Sequence, residues 1–351
     1  MKNYCRRIKF YNFTSKIPRI SFVLTIHNHE SIFEKVLLGI LSSSSLDIEI
    51  IIVDDNSRDN SFLRLSQLAA SKQLPENLTR IVYIRNFIQQ FEVDCENTGS
   101  KFARGEFLCF VQGDMVIQDL LFDKRLISAL LHYPAIGAIS GTSVKVDVQK
   151  SVNRWLRSPG HSLINLKLLR FIFKTFFSKN HTYEKNFHLK KSHMHNQDTI
   201  WAEDLTDVST CGLDFNKYGQ IRYGDSSRGI SQSIIDSKIL FVGRLINRGP
   251  IFVKTSIFNS INGFDSKSYF QGFDDYEFSL RLGLLNLSVA YSPINFISEK
   301  DWGAGKKKKS ISTYCLIRFK SFVRVYKRKF TLLSNPSQIE SNIIGKTLFF
   351  K

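Results

Sequence analysis

Between Ile20 and Ser140 two hydrophobic rhythms take turns along the chain. Continuous apolar runs recur at ISFVLTI (Ile20–Ile26), IEIIIVDD (Ile48–Asp55), RIVYI (Arg80–Ile84), EFLCFVQ (Glu106–Gln112) and IGAIS (Ile136–Ser140). Each is short and dominated by β-branched, aromatic or other apolar residues, the pattern of a strand covered on both faces. ESIFEKVLLGIL (Glu30–Leu41) instead spaces its apolar residues at three and four, as an amphipathic helix does. Helical patterns also occupy Asn60–Ser71 and the stretches before Glu106 and Ile136. Strands alternating with helices predict βαβ units, hence an α/β fold with a mostly parallel sheet flanked by helices.

From about Val144 to Leu240 the alternation gives way to a segment rich in Lys, His, Asn and Phe, which reads as an insertion or subdomain. It resumes in NRGPIFVKTSIFNSINGFD (Asn247–Asp265), followed by the helical DDYEFSLRLGLL (Asp274–Leu285) and the strand-like SVAYSP (Ser288–Pro293). From Lys306 the chain is strongly basic and is expected to end as a helical tail. The expected organisation is therefore a basic extension over 1–19, a first α/β half over 20–143 and the insertion over 144–240. A second half with its helix follows over 241–300, and a basic loop and tail over 301–351.

The 351 residues suffice for one large α/β domain with additions or for two smaller domains. A hydrophobic content of 43% with 13% aromatics supports a full core and excludes global disorder. Charge narrows the partners: 49 Lys and Arg against 31 Asp and Glu give a net +18, which attracts nucleic acid, anionic membrane or phosphorylated substrates. No zinc-finger spacing, RNP-like aromatic motif or basic zipper accompanies that charge, so nucleic acid is not the expected partner. Cys5, Cys95, Cys109, Cys211 and Cys315 are scattered without a CxxC pair, which predicts reduced thiols in a cytoplasmic setting. No apolar run of signal-peptide kind follows the basic MKNYCRRIKFYNFTSK, and no uncharged apolar segment approaches the length of a membrane span.

Two segments bear on peripheral membrane contact. SLINLKLLRFIFKTFF (Ser162–Phe177) puts Lys167, Arg170 and Lys174 on one helical face amid Leu, Ile and Phe; it reads as a membrane-surface helix or as a core helix with a narrow wet stripe. Arg318, Lys320, Arg324, Lys327, Arg328 and Lys329 would add attraction to anionic lipid at the inner face of the membrane. DWGAGKKKKS (Asp301–Ser310) lacks the spacing of a phosphate-binding loop and reads as a lid or a solvated linker. His193 and His195 have no third ligand nearby in sequence and read as a solvated loop.

In open parallel sheets ligands gather beyond the carboxyl ends of the strands. The residues that follow the first strand are Thr25, His27 and Asn28; Asp54, Asp55, Asn56 and Ser57 follow the second; Gln112, Gly113 and Asp114 follow the fourth. Each set alone is also ordinary βα-turn chemistry, with Ser57 or Asp59 capping a helix. Three such sets together, with the Asp274–Asp275 pair downstream, point to a ligand site. The Asp274–Asp275 pair is itself also compatible with plain capping of the helix it begins.

SFVLTIHNHESIFEKVLLGIL followed by IEIIIVDDNSRDNS resembles the opening of the family 2 glycosyltransferases, which have the GT-A fold. The resemblance continues through ENTGSKFARGEFLCFVQGD and resumes at NRGPIFVKTSIFNSINGFD and FDDYEFSLRL, covering residues 20–141 and 244–293. It implies an inverting transfer from a nucleoside-diphosphate sugar to a glycan or lipid-linked acceptor, with a divalent Mg2+ or Mn2+ as cofactor. On this resemblance residues 20–143 bind the nucleotide sugar, 241–300 serve the acceptor, and 144–240 contact the acceptor or the membrane. Thr25 and His27 fall where the family contacts the donor nucleoside, and Asp55 where a carboxylate accepts from the base. Asp114 matches the last aspartate of the metal-binding Asp-x-Asp, and Asp275 the general base. Asn28, Asp54, Gln112 and Gly113 complete the donor set; Arg248 faces the donor phosphates or stabilises the turn before Pro250.

The chain departs from the family in three places. Gln112 stands where the first aspartate usually is, His27 replaces the usual aromatic, and no histidine occurs after His195. Glu299 or Asp301 is the candidate for a further metal contact. With Asp114 as the only carboxylate of its pair, the cation is expected to bind mainly through the diphosphate. The alternatives are an inactive or nucleotide-binding relative of the same fold and, below it, a sugar nucleotidyltransferase.

Overall fold

A computed structural model of the chain describes residues 6–70, 74–141, 239–243, 246, 249–266, 274–292, 294, 296–298 and 347–349. Its strands are β1 (Arg6–Asn12), β2 (Ile20–Ile26), β3 (Ile48–Asp54), β4 (Leu78–Asn86), β5 (Phe107–Gln112), β6 (Met115–Ile117), β7 (Ile136–Ser140), β8 (Ile239–Gly243), β9 (Ile251–Lys254), β10 (Ser288–Tyr291), β11 (Phe296–Ser298) and β12 (Thr347–Phe349). The helices are α1 (Glu30–Ser43), α2 (Ser61–Ala70), α3 (Phe91–Ser100), α4 (Phe122–His132), α5 (Thr255–Ser260) and α6 (Asp274–Leu284).

Among the described residues ten strands form one sheet in the order β1-β4-β3-β2-β5-β9-β7-β10-β8-β12, and β6 pairs with β11 beside it. Strands β2, β3, β4, β5, β7, β10 and β12 run one way, while β1, β8 and β9 run the other. The mostly parallel, GT-A-like α/β architecture expected from the sequence is the one adopted. Three parts of it carry little sequence signal. The basic extension contributes β1, an edge strand whose charged RRIKFYN hides its alternation. Strand β9 enters antiparallel between β5 and β7. In the tail, the described segment is strand β12; the remainder of 301–351 lies outside the described residues, as do 162–177, His193, His195, Arg248, Glu299 and Asp301.

The central strands β2 and β3 are buried throughout, which is why their sequences are continuously apolar. Phe22, Leu24, Ile50 and Ile52 meet α1, α2 and α4 on one face; Val23, Ile51, Val53, Val82 and Ile84 meet α3, α5 and α6 on the other. Helix α3 lies especially close to the sheet. A Cβ at Gly99 would stand 2.5 Å from Val23 Cγ1 and 3.1 Å from Val53 Cγ2, so only glycine permits this approach.

At the end of the sheet where β2 and β3 begin, the carboxylate of Glu49 is fully buried and paired with the guanidinium of Arg80. Glu49 Oε1 also accepts from Ser21 Oγ and from the Arg104 amide, both at 2.5 Å. Arg80 donates to the Phe102 carbonyl, and Gly105 N donates to Ser21 Oγ at 2.8 Å. The Ala-x-Gly-Glu run of the sequence (Ala103–Glu106) is thereby a structural lock remote from the strands' carboxyl ends.

Leu121, ahead of α4, adopts φ 60° and ψ 18° with its side chain 53% exposed. The left-handed region costs a leucine about 1–2 kcal/mol and asparagine much less. Leu121→Asn is expected to stabilise the protein by about 1 kcal/mol. A raised denaturant midpoint at unchanged slope is the measurement that checks it.

Candidate active site

The carboxyl ends of β2, β3 and β5 lie side by side, because Thr25 pairs with Gln112 and Ile26 with Asp54. The Asp55 amide adds a bond to the Ile26 carbonyl at 2.8 Å, extending the pairing past the strand. Thr25, His27, Asn28, Asp54, Asp55, Gln112 and Gly113 are thereby gathered on one rim, as the strand-end reading expected.

Asn28 takes φ 57° and Asn56 φ 63°, turns that asparagine tolerates well. Asn28 N donates to Ser57 Oγ at 2.9 Å, and Arg58 N donates to Asn28 Oδ1 at 2.7 Å. With that oxygen occupied, Asn28 Nδ2 donates to His27 Nε2 at 3.0 Å, which leaves the imidazole proton on Nδ1. His27 Nδ1 accordingly donates to the Asp55 carbonyl at 2.6 Å. The ring is held in one tautomer and one orientation.

The two aspartates are spent largely on the protein itself. Asp54 accepts from Ser57 N at 2.7 Å and from the Tyr83 hydroxyl. Burial and the Asp54 carboxylate push the Tyr83 phenol far above its usual range, so it stays a donor. Asp55 Oδ1 accepts from Gln90 N at 2.6 Å and Asn86 Nδ2 at 3.3 Å, while Oδ2 accepts from Phe91 N at 2.8 Å. Asp55 is thus a side-chain anchor for the first amides of α3, and any direct contact to a base must share its carboxylate with these donors. Burial first, and then the Asp55 carboxylate, push the Cys95 thiol well up; burial does the same for Cys109, so neither is a thiolate nucleophile.

Asp59 is the cap that joins α1 to α2. It accepts from Glu30 N at 2.8 Å and from Ser61 N at 3.1 Å. Burial alone would raise its carboxyl, but the bonds from Ser61 and Glu30 outweigh burial and hold it below the usual range.

Strand β5 ends in Gln112, and the Gly113–Asp114 turn leads into β6. A Cβ on Gly113 would stand 2.6 Å from the Thr25 carbonyl and 2.7 Å from His29 Nδ1, so the β5 end closes onto the β2 end only as glycine. Ser298, which precedes Glu299 in sequence, pairs with Met115, which follows Asp114. Among the described residues no three His, Cys, Asp or Glu side chains come together to hold a metal ion.

Asp274 and Asp275 begin α6 and are 2% and 4% exposed. The short connection from α6 to β10 makes the helix run back along that strand. Its N-terminus therefore lies at the carboxyl edge of the sheet, on the side of β7 and β10. Phe278 fixes the helix from within by packing on Phe264 and Phe258, with ring centroids 4.9 and 6.1 Å away. Asn97 of α3 holds Phe264 by both its backbone groups, donating to the carbonyl at 2.7 Å and accepting from the amide at 2.8 Å. The Asn97–Gly99 and Asn262–Asp265 stretches thus form one joint that positions the Asp275 helix. Asn97→Ala is expected to cost on the order of 2 kcal/mol, because it strands a backbone donor and acceptor. Thermal or denaturant unfolding measures it.

Sequence reading passed over His29, Tyr83, Gln90 and Glu92. His29 Nδ1 accepts from His27 N at 3.1 Å. Gln90 is 6% exposed, gives its oxygen to Arg6 at 3.1 Å, and its Nε2 has no partner among the described residues. Glu92 Oε1 accepts from Gln112 Nε2 at 2.5 Å. Tyr83 lies within β4 and Glu92 within α3, while His29 and Gln90 immediately precede α1 and α3; local pattern explains each by packing or capping, and only tertiary pairing brings them to the rim.

A mostly parallel sheet with polar strand ends at one rim, and a buried acidic pair at a helix start on the same edge, suits a glycosyltransferase. The chain belongs to Glycosyl transferase family 2, whose model matches residues 21–201, just over half of its length. It is 29% identical over 108 residues to the uncharacterized glycosyltransferase EpsJ of Bacillus subtilis, covering 31% of this chain and 29% of EpsJ. It is 27% identical over 104 residues to the glycosyltransferase GlyG of Streptococcus pneumoniae, covering 30% of this chain and 33% of GlyG. The match therefore spans about a third or less of either relative. Among solved structures, the Pyrobaculum calidifontis mannosyltransferase PcManGT, in complex with GDP-Man and Mn2+, aligns at TM-score 0.45 and 11% identity, over 93% of this chain and 77% of that one. S. aureus TarS 1–349 in complex with UDP aligns at TM-score 0.42 and 13% identity, over 79% and 61%.

Proposed function

We propose that this glycosyltransferase transfers one sugar from a nucleoside diphosphate to a hydroxyl of a glycan or lipid-linked acceptor, with inversion at the anomeric carbon. The observation that supports this most is the buried Asp275 at the start of α6, on the same edge of the sheet as the strand-end cluster. In the proposed step Asp275 takes the acceptor hydroxyl proton, the oxygen bonds to the anomeric carbon, and the carbon–phosphate oxygen bond breaks. The nucleoside diphosphate leaves with that electron pair. Asp274 caps the helix and keeps its neighbour in place. Thr25, His27, Asn28, Gln112 and the Asp54–Asp55 turn form the nucleoside side, and Arg248 is assigned to the phosphates.

Asp114 is the proposed cation ligand. One turn carboxylate fits a Mg2+ or Mn2+ whose other ligands are phosphate oxygens and waters, not an all-protein cage. Such an ion would neutralise charge on the departing diphosphate. Access to a lipid-linked acceptor places the protein at the cytoplasmic face of the membrane as a peripheral protein; no described helix is long and apolar enough to cross one.

A thermal-shift panel of UDP- and GDP-sugars, with and without Mn2+, tests the reading. Stabilisation is expected with nucleotide sugar plus Mn2+, since a ligand that binds the native state raises its stability. Mn2+ alone is expected to shift nothing. If no nucleotide sugar stabilises the protein under either condition, the transferase reading loses its basis. A strong shift with Mn2+ alone would instead contradict the shared-ligand site.

A further inference from the structure

Gln112 stands where a metal-binding carboxylate would be expected, and a residue on another element controls what it offers. We propose that Glu92, in the first turn of α3, is a positioning residue that locks Gln112 as a hydrogen-bond acceptor for a ribose hydroxyl of the bound nucleotide. The proposal rests on the donor-binding reading above and assigns it a residue that no motif marks.

Glu92 Oε1 lies 2.5 Å from Gln112 Nε2. An ionised carboxylate only accepts, so the glutamine must turn its NH2 toward it. Rotating the amide by half a turn would bring carbonyl oxygen against carboxylate oxygen, which repel. A charge-assisted bond is about twice as strong as a neutral one, so the lock is firm. Because the amide is planar, its Oε1 then diverges from Glu92. That oxygen has no donor among the described residues. Gln112 closes β5 directly opposite Thr25 and is only partly buried, at the edge where an open α/β sheet receives its ligand. Next to it, Gly113 removes the side chain that would have pushed this strand end away from β2.

An acceptor fixed in that place recognises a ligand donor. The ribose of a nucleotide carries two hydroxyls that can donate, whereas its phosphates carry none at neutral pH. Base N–H groups donate too, and the Asp54–Asp55 turn and its neighbours are the proposed base contacts, so Gln112 is assigned to the sugar of the nucleotide, and Glu92 is committed to Gln112.

Titration calorimetry of the full chain tests this with UDP, GDP, ADP and CDP and the 2′- and 3′-deoxy form of each, in the presence of Mn2+. Wild type is expected to bind one ribonucleotide about threefold to tenfold more tightly than at least one of its deoxy forms, the value of one neutral hydrogen bond. Glu92→Ala should erase that preference while leaving deoxy binding unchanged, and Gln112→Ala should erase it as well. Glu92→Lys donates to the amide oxygen, reverses the glutamine and should erase it as well. Glu92→Gln retains an acceptor for Nε2 and should restore the preference. Full preference in Glu92→Ala overturns the proposal, and so does an equal loss for ribo and deoxy forms, the mark of a merely structural role. Absence of all nucleotide binding by wild type overturns the transferase reading and this proposal together.

Discussion

Asp275→Asn is expected to slow sugar transfer about a hundredfold to ten-thousandfold while nucleotide binding and folding stay as they are. The asparagine has nearly the same shape and can still sit at the start of α6, but its amide cannot take a proton from the acceptor hydroxyl. The parent carboxylate is 4% exposed at a helix N-terminus held by the Phe278–Phe264 contact, so the substitution meets little freedom to move. Release of nucleoside diphosphate from the donor found in the thermal-shift panel, with membrane extract supplying acceptor, is the measurement. Undiminished turnover would remove Asp275 from the base role. Asp274→Asn should be milder, because an amide oxygen also caps a helix.

Glu49→Ala should destabilise the protein by about 3–5 kcal/mol, the cost of leaving a buried guanidinium without its partner. Here the loss extends beyond the ion pair: the Ser21 hydroxyl and the Arg104 amide also lose their acceptor. Replacing both members together, as Glu49→Leu with Arg80→Leu, is expected to recover much of the loss, since no unpaired charge then remains. Equilibrium unfolding decides. A single substitution as harmless as the double one would show the pair to be no lock on the 102–105 turn.

The acid limb of stability has a separate source. Asp59 titrates below its usual range in the fold, so its contribution is present above the unfolded carboxyl value and is lost as pH falls through the lower folded value. Asp59→Asn should flatten that acidic part of the stability–pH curve and leave neutral pH nearly unchanged in slope.

Which residues build strands and helices was legible in the chain because burial on both faces demands continuous apolar runs. Ile20–Ile26 and Ile48–Asp54 are strands over residues that the pattern marked as such. Thr25, Asp54, Asp55 and Gln112 were legible as one rim for a related reason: consecutive parallel strands all end at the same edge. Edge strand β1 was not legible, since half of its surface faces water and tolerates Arg and Lys. Nor was the antiparallel entry of β9, because an apolar run of four residues reads alike in either direction.

Chemistry followed the same division. The sequence by itself determined the fold class, the family and the residue types at the strand ends, because each depends on local pattern and order along the chain. Only the tertiary structure decided what those residues do to one another. It turned Asp55 into an anchor for α3, fixed the His27 tautomer through Asn28, and brought Glu92, twenty residues upstream, onto the amide of Gln112. Hydrogen-bond partners are chosen by proximity in space, and no spacing along the chain encodes a contact between a helix start and the end of a strand.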